Sequence, residues 1–174
     1  MRVVDVDSGK ELWSTAELVG TAVNGLDWSH DGNRLLVLTG SFFTVLDGGG
    51  KALAKGATGG RAQVAAFSPR AHDIALIRTR ANPKAGRSEL VLLTERGGAL
   101  EERRLFAGPG RFTDVAWSPD GEWLLLAWRD ADQWLFIRPS DEKPTPISNI
   151  SRQFDPGEPS MPAFPRLGGW CCPP

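Results

Sequence analysis

The stretch that decides the fold is Val115-Ala-Trp-Ser-Pro-Asp-Gly-Glu-Trp-Leu-Leu-Leu-Ala127. An aromatic residue and a serine lead into Pro-Asp-Gly, and an apolar run follows. Pro119 presets φ at the first central turn position. Asp120 can bond nearby backbone N–H groups, and Gly121 accepts the positive φ that a following bulge needs. A turn of this kind joins two antiparallel strands. The apolar run after it, residues 123–128, does not alternate with polar residues. A half-exposed strand would alternate, so this one reads as buried on both faces.

The pattern occurs twice more. Leu26-Asp-Trp-Ser-His-Asp-Gly-Asn-Arg-Leu-Leu-Val-Leu38 keeps Ser29, Asp31 and Gly32, with His30 in the proline slot. Ala65-Ala-Phe-Ser-Pro-Arg-Ala-His-Asp-Ile-Ala-Leu-Ile77 keeps Ser68 and Pro69 but has Arg70 and Ala71 where Asp and Gly would stand, so its turn is expected to be irregular. The aromatic–Ser pairs are spaced by 39 and then 50 residues. The longer interval holds Ala81-Asn-Pro-Lys-Ala-Gly-Arg87, which reads as an extended hairpin loop. Without most of it the period is again about forty.

A second set of copies lies between the first. These are Arg2-Val-Val-Asp-Val-Asp-Ser-Gly-Lys-Glu-Leu-Trp13, Phe43-Thr-Val-Leu-Asp-Gly-Gly-Gly-Lys-Ala-Leu53, Leu90-Val-Leu-Leu-Thr-Glu-Arg-Gly-Gly-Ala-Leu100 and, least regular, Trp134-Leu-Phe-Ile-Arg-Pro-Ser-Asp-Glu-Lys143. Each reads as strand, turn, strand. The chain then divides into an incomplete unit at residues 1–20 and four-stranded units at 21–60, 61–109 and 110–154. A Pro/Gly-rich tail at 155–174 reads as irregular or as a packing arm. Helical periodicity is absent. Strands buried on both faces need a neighbour on each side, and successive blades of a β-propeller supply it. The expected fold is all-β, with about three and a half propeller blades.

The aromatic-Ser-Pro-Asp-Gly turn followed by an apolar strand resembles the WD40-like, or PD40, repeat of TolB-type propellers and of the propeller domains of prolyl-oligopeptidase-like enzymes. The resemblance covers residues 2–154. Two features of true WD40 blades are missing. No Trp-Asp dipeptide ends a third strand, and no Gly-His pair opens a blade. Closed propellers hold about four to eight blades. Three readings of the blade number follow: a fragment of a longer propeller, a half that dimerises into a ring of about seven blades, or an irregular small propeller. The start in mid-blade favours the fragment. An open arc would expose blade edges to self-association.

Composition excludes several classes. The apolar share is 41%, the charged share 24% and the formal net charge −1. These values suit a soluble globular chain and leave no nucleic-acid footprint. Arg103-Arg104 follows Glu101-Glu102 and reads as locally neutralised. No apolar run reaches the roughly 18–20 residues of a membrane span. Residues 1–10 lack the apolar core of a signal peptide. The TolB resemblance implies an envelope setting. Cys171 and Cys172 would fit that setting as a vicinal disulfide, with two free thiols as the alternative.

No string carries catalytic chemistry. Gly-x-Ser-x-Gly is absent. The two histidines, His30 and His72, read as solvated turn residues rather than catalytic bases. Gly48-Gly49-Gly50-Lys51 lacks the spacing of a phosphate loop and reads as a hairpin turn. Asp130-Ala131-Asp132 is the nearest approach to a calcium loop and reads as a turn. No cofactor or metal is expected. Trp28, Trp117, Trp123, Trp128 and Trp134 are expected to pack between blades, whereas Trp13 and Trp170 lie outside the repeated core. The expectation is a non-catalytic module that binds a protein or peptide partner. Two alternatives stand beside it: the propeller portion of a prolyl-oligopeptidase-like hydrolase, and a channel that binds a small ligand.

Overall fold

Apolar runs bounded by turn residues become strands throughout the chain. A computed structural model describes residues 1–15, 22–80, 86–97, 99–141, 143–154 and 163–170. A two-stranded hairpin comes first, β1 (Arg2–Val4) and β2 (Glu11–Ser14). Blade one follows with β3 (Val23–Trp28), β4 (Arg34–Thr39), β5 (Phe42–Asp47) and β6 (Ala52–Ala57). Blade two contains β7 (Arg61–Phe67), β8 (Ile74–Arg80), β9 (Arg87–Arg96) and β10 (Ala99–Pro109). Blade three contains β11 (Phe112–Trp117), β12 (Leu124–Trp128), β13 (Gln133–Ile137) and β14 (Thr145–Ser148). Every blade is an antiparallel meander with strands paired in sequence order. The innermost strands β3, β7 and β11 lie side by side, and the sheets fan outward from them.

The unbroken apolar runs of β4, β8 and β12 acquire a physical meaning here. In β8, Ile74 and Leu76 face blade one, where they meet Leu36, Leu38, Phe43 and Val45. Ala75 and Ile77 face blade three, where they meet Phe112, Val115, Trp117 and Leu126. In β4, Leu36 and Leu38 face blade two, while Leu35 and Val37 meet Val3 and Trp13 of the leading hairpin. Each second strand is therefore shared by two cores. Truncating one such leucine to alanine costs about 2–5 kcal/mol, because the cavity adds to the lost transfer energy.

Polar bonds also cross between blades. The inner strand presents backbone groups at its free edge. Asp27 Oδ2 accepts the N–H of Phe67 at 2.7 Å, tying β3 to β7. Trp117 donates its Nε1–H to the carbonyl of Ala66 at 3.1 Å, tying β11 to β7. Burial raises the Asp27 carboxyl, and the hydrogen bond from Phe67 only partly offsets it.

Three differences from the sequence reading have physical causes. A helix, α1 (Ile150–Phe154), follows β14. It is too short to show a period, and Asp132 starts it by accepting the N–H of Ser151 at 2.8 Å. The longer second interval also resides in strand length. Arg87, expected in the loop, begins β9, which has 10 residues, and β10 has 11. Residues 81–85 of that loop lie outside the described residues. Finally, Trp28 is exposed rather than packed between blades.

Candidate functional site

The repeat turns come first, because they set the ends of the inner strands. In blade three, the Ser118 hydroxyl donates to Asp120 and accepts the N–H of Trp123 at 2.9 Å. Asp120 also accepts the N–H of Glu122 at 3.0 Å, and Gly121 has φ of 70°. In blade one, Ser29 Oγ donates to Asp31 at 2.6 Å and accepts the N–H of Arg34 at 2.9 Å, with Gly32 at φ of 68°. Hydrogen bonds from Ser29 and Asn33 hold the Asp31 carboxyl well below the usual carboxylate range. In blade two, Ser68 Oγ accepts only the N–H of Arg70, at 3.4 Å. The residues Ser29, Ser68 and Ser118 are buried. These groups spend their hydrogen bonds on the turn itself.

The irregular middle turn makes contacts that the regular turns do not. His72 Nε2 lies 3.1 Å from Asp31 Oδ2 of blade one. On the other side, the Arg70 charge helps to lower the Asp120 carboxyl of blade three, after the larger hydrogen bonds from Ser118 and Glu122. Arg70 thus stands in the repeat's Asp slot and His72 just after Ala71 in the Gly slot, and the two side chains meet the aspartates on either side. His72 is not merely a solvated turn residue.

A buried ion cluster joins blades one and two. Arg78 and Glu89 are each 3% exposed and lie 2.9 Å apart. Arg78 also holds Glu102 at 2.6 Å and donates to the carbonyl of Thr58 at 2.7 Å. Arg80 reaches Glu89 at 2.8 Å. Burial pushes Glu89 upward, and hydrogen bonds from Arg78 and Arg80 reverse this, leaving it lowered. Glu101, Glu102 and Arg104 are neutralised across strands rather than by each other: Glu102 by Arg78, Glu101 by Arg96, and Arg104 by Glu89. Each carboxylate already has a cation, so the cluster is a clamp rather than an acid–base pair.

The opposite ends of the inner strands carry a different pattern. In β3 the register shifts between Val23 and Gly25, in β7 between Ala62 and Val64, and in β11 between Phe112 and Asp114. The extra residues are Asn24, Gln63 and Thr113. Every inner strand therefore has a β-bulge at the same repeat position, with a polar residue on it. Bulges re-aim side chains and interrupt pairing. These three residues line one open groove of about 730 Å³. Gln63 Oε1 and Thr113 Oγ1 are buried there without a hydrogen-bond partner among the described residues. Such atoms are uncommon in folded proteins and suit a ligand or water.

Four arginines line the same groove: Arg61, Arg111, Arg129 and Arg166. Asp114 is the carboxylate among the lining residues. Arg111 lies 3.5 Å from Asp130. A second groove of about 510 Å³ lies at the turn ends, between Trp28, Phe67, Pro69, Trp117 and Pro119. Residues 163–170 run along both without helix or strand. Phe164, Pro165 and Arg166 border the first groove, and Leu167 to Trp170 border the second. Within this stretch Trp170 meets Phe136 edge-on at 5.6 Å.

The remaining candidates have structural partners. Trp13 rests against Gly50, where a Cβ would come within 2.4 Å of its ring. Gly50, in the Gly-Gly-Gly-Lys stretch, occupies a hairpin turn at φ of 85°. Trp128 packs on Phe106 and Phe112, Trp134 on Phe154, and Trp123 under the Arg138 guanidinium. Asp130 serves Arg111, and Asp132 caps α1. Cys171 and Cys172 lie outside the described residues. Among the described residues, no three His, Cys, Asp or Glu side chains form a group able to hold a metal, and no helix is long and apolar enough to cross a membrane.

Sequence reasoning missed the bulge row and the arginines. Counting back four residues from each repeat aromatic gives Asn24, Gln63 and Thr113, and counting back six gives Ala22, Arg61 and Arg111. The repeat alignment held that signal.

No family model matches the chain, and no curated protein matches it. Among solved structures it is similar to dihydro-heme d1 dehydrogenase NirN in complex with DHE, with a TM-score of 0.64, 17% identity and 84% of this chain covered. It is similar to a chain of the mitotic checkpoint complex at 0.62, 21% and 86%, and to the Myceliophteria thermophila Cps50 (Swd1) β-propeller domain at 0.53, 9% and 74%. It spans 32% of the first structure's chain and 44% of each of the other two. The shared property is the fold, that of β-propeller blades.

Proposed function

We propose that this chain is a non-catalytic stretch of β-propeller that binds a protein or peptide partner, in extended form, along the bulged ends of its inner strands. The observation that carries the reading is the row Asn24, Gln63 and Thr113, three polar residues on bulges in adjacent strands. Two of them keep unpartnered buried atoms. Residues 163–170, which have neither helix nor strand, support it, because they border the grooves at both ends of the inner strands. The turn motif keeps its likeness to the TolB type, and that likeness does not name an activity.

A second reading has its own support. A groove of about 730 Å³ falls within the range of small-ligand pockets. Selection of randomised peptides displayed against the purified chain separates the two. Enriched peptides should bind the parent chain and lose affinity for the Asn24→Ala, Gln63→Ala, Thr113→Ala triple variant. Peptides that bind the triple variant equally well would remove the groove from the reading. Turnover of ester, lactone or peptide substrates by the purified chain would remove the non-catalytic assignment.

A further inference from the structure

We propose that the partner segment seated in this groove is acidic, with its carboxylates held by Arg61, Arg111, Arg129 and Arg166; this rests on the peptide-binding reading above. The first support is charge placement. The chain as a whole carries a formal net charge of −1, yet four guanidinium groups line one groove beside the carboxylate of Asp114. Arg61, Arg129 and Arg166 have no carboxylate partner among the described residues. Elsewhere, Arg2, Arg34, Arg78, Arg80, Arg96, Arg104 and Arg138 each hold one, whereas Arg70, Arg87, Arg103 and Arg152 hold none among the described residues. Arg111 is the one of the four that holds a carboxylate, Asp130; guanidinium groups that outnumber the carboxylates around them create a field that attracts an acidic ligand and speeds its arrival.

The second support is position. Arg61 and Arg111 occupy the same repeat position in β7 and β11, so adjacent inner strands contribute equivalent cations. Arg166 comes from residues 163–170 and Arg129 from the turn after β12, so the groove is cationic on several sides. Guanidinium forks bind carboxylates through paired hydrogen bonds, which lysine cannot reproduce.

The third support favours a peptide over a bare anion. As oriented, Gln63 Oε1 is an acceptor and the Thr113 hydroxyl can donate. Both atoms are buried as they stand, and a rotation of either side chain into the groove would present them to the backbone N–H and C=O of an extended peptide. A sulfate or a phosphodiester offers acceptors alone and leaves Gln63 Oε1 unmatched. A nucleic-acid strand would want aromatic platforms for its bases. The aromatic residues lining the groove are Phe164, half-buried, and Phe112, buried within the blade core.

The test titrates the full chain with fluorescein-labelled dodecapeptides of alternating Glu-Gly, Gln-Gly and Lys-Gly, read by anisotropy. The acidic peptide should bind at least about tenfold more tightly than the neutral one, with affinity falling steeply as salt rises. The Arg61→Gln, Arg111→Gln double variant should lose about tenfold in affinity or more, while Arg103→Gln on outer strand β10 leaves it unchanged. The exchanged arginines are exposed, so thermal melts should coincide and separate lost binding from lost folding. Equal binding of acidic and neutral peptides would overturn the acid preference while leaving peptide binding standing. Failure of every peptide, display-selected ones included, would overturn the binding reading itself. Displacement by tripolyphosphate at matched charge, or tighter binding of an oligothymidylate, would reassign the groove to a small polyanion or to nucleic acid and overturn the proposal.

Discussion

Trp28, Phe67 and Trp117 occupy one position of the repeat, yet Trp28 is 43% exposed while Phe67 and Trp117 are 6% and 9% exposed. Two residues earlier, Leu26 is 58% exposed and Val115 is 7% exposed. The local structure is the same in each blade: inner strand, serine turn, second strand. The difference lies in the neighbour. Phe67 packs against blade one, and Trp117 packs against blade two. Trp28 belongs to neither of these cores, and the leading hairpin β1–β2 places its Trp13 on Leu35, Val37 and Leu46 instead. Burial at this position is therefore conferred by the adjacent blade and not by the repeat motif.

The sharpest way to break that comparison is truncation. Phe67→Ala and Trp117→Ala should each cost about 3–5 kcal/mol, because each opens a cavity in a core shared by two blades. Trp28→Ala should cost about 1 kcal/mol or less, as exposed substitutions do. Urea denaturation followed by far-ultraviolet circular dichroism measures all three. Equal losses at the three positions would show that the aromatic acts within its own blade.

The turns give the next largest contrast. Ser118→Ala should destabilise by about 1–2 kcal/mol, since the half-buried Trp123 N–H loses its acceptor and Asp120 loses a donor. Ser68→Ala should cost less, because its Oγ accepts one long bond from Arg70. The same denaturation series ranks them, and a larger loss at Ser68 would contradict the assignment of these bonds.

Asp27 sharpens the comparison at the seam between blades one and two. Asp27→Ala removes the acceptor of the Phe67 N–H and should cost about 1 kcal/mol. Asp27→Asn keeps an acceptor and removes a charge that burial disfavours. It should be neutral or mildly stabilising at pH 7, measured as a shift in melting temperature. A loss in Asn equal to that in Ala would mean that the charge itself is needed.

The smallest effect is the acid response. Asp31, Asp120 and Glu89 are lowered in the folded protein, so their stabilisation is present above the ordinary values of 3.8 and 4.5 and fades as pH falls through the lower folded values. Asp27 is raised, and protonating it relieves a penalty, so it acts in the opposite direction. The net expectation is a declining urea midpoint below about pH 4.5, with the decline reduced in Asp120→Asn. An acid response unchanged by that substitution would assign the decline to other groups.

The legible part of the fold was whatever depends on near neighbours in sequence. Strand runs, the serine turns and the positive-φ glycines Gly32 and Gly121 are local chemistry. The continuous run of residues 74–77 announced two-faced burial, and the blade neighbours supply both faces. Contacts between blades stayed hidden. The middle turn reads as a degraded copy, because the partners of His72 and Arg70 are 41 and 50 residues away. The exposure of Trp28 depends on what covers a face, and no residue near it encodes that. The candidate groove falls between these extremes. Its bulge residues are separated by 39 and 50 residues, the repeat spacing itself, and become visible when the copies are aligned on their aromatic.

The most direct test of the groove is a hydrogen-exchange footprint of the full chain with and without saturating Glu-Gly dodecapeptide. Protection centred on β3, β7 and β11 around Asn24, Gln63 and Thr113, with outer strands β6, β10 and β14 unchanged, is the expected result. Protection confined to the outer strands, or to the exposed Leu26 and Trp28 face alone, would contradict it.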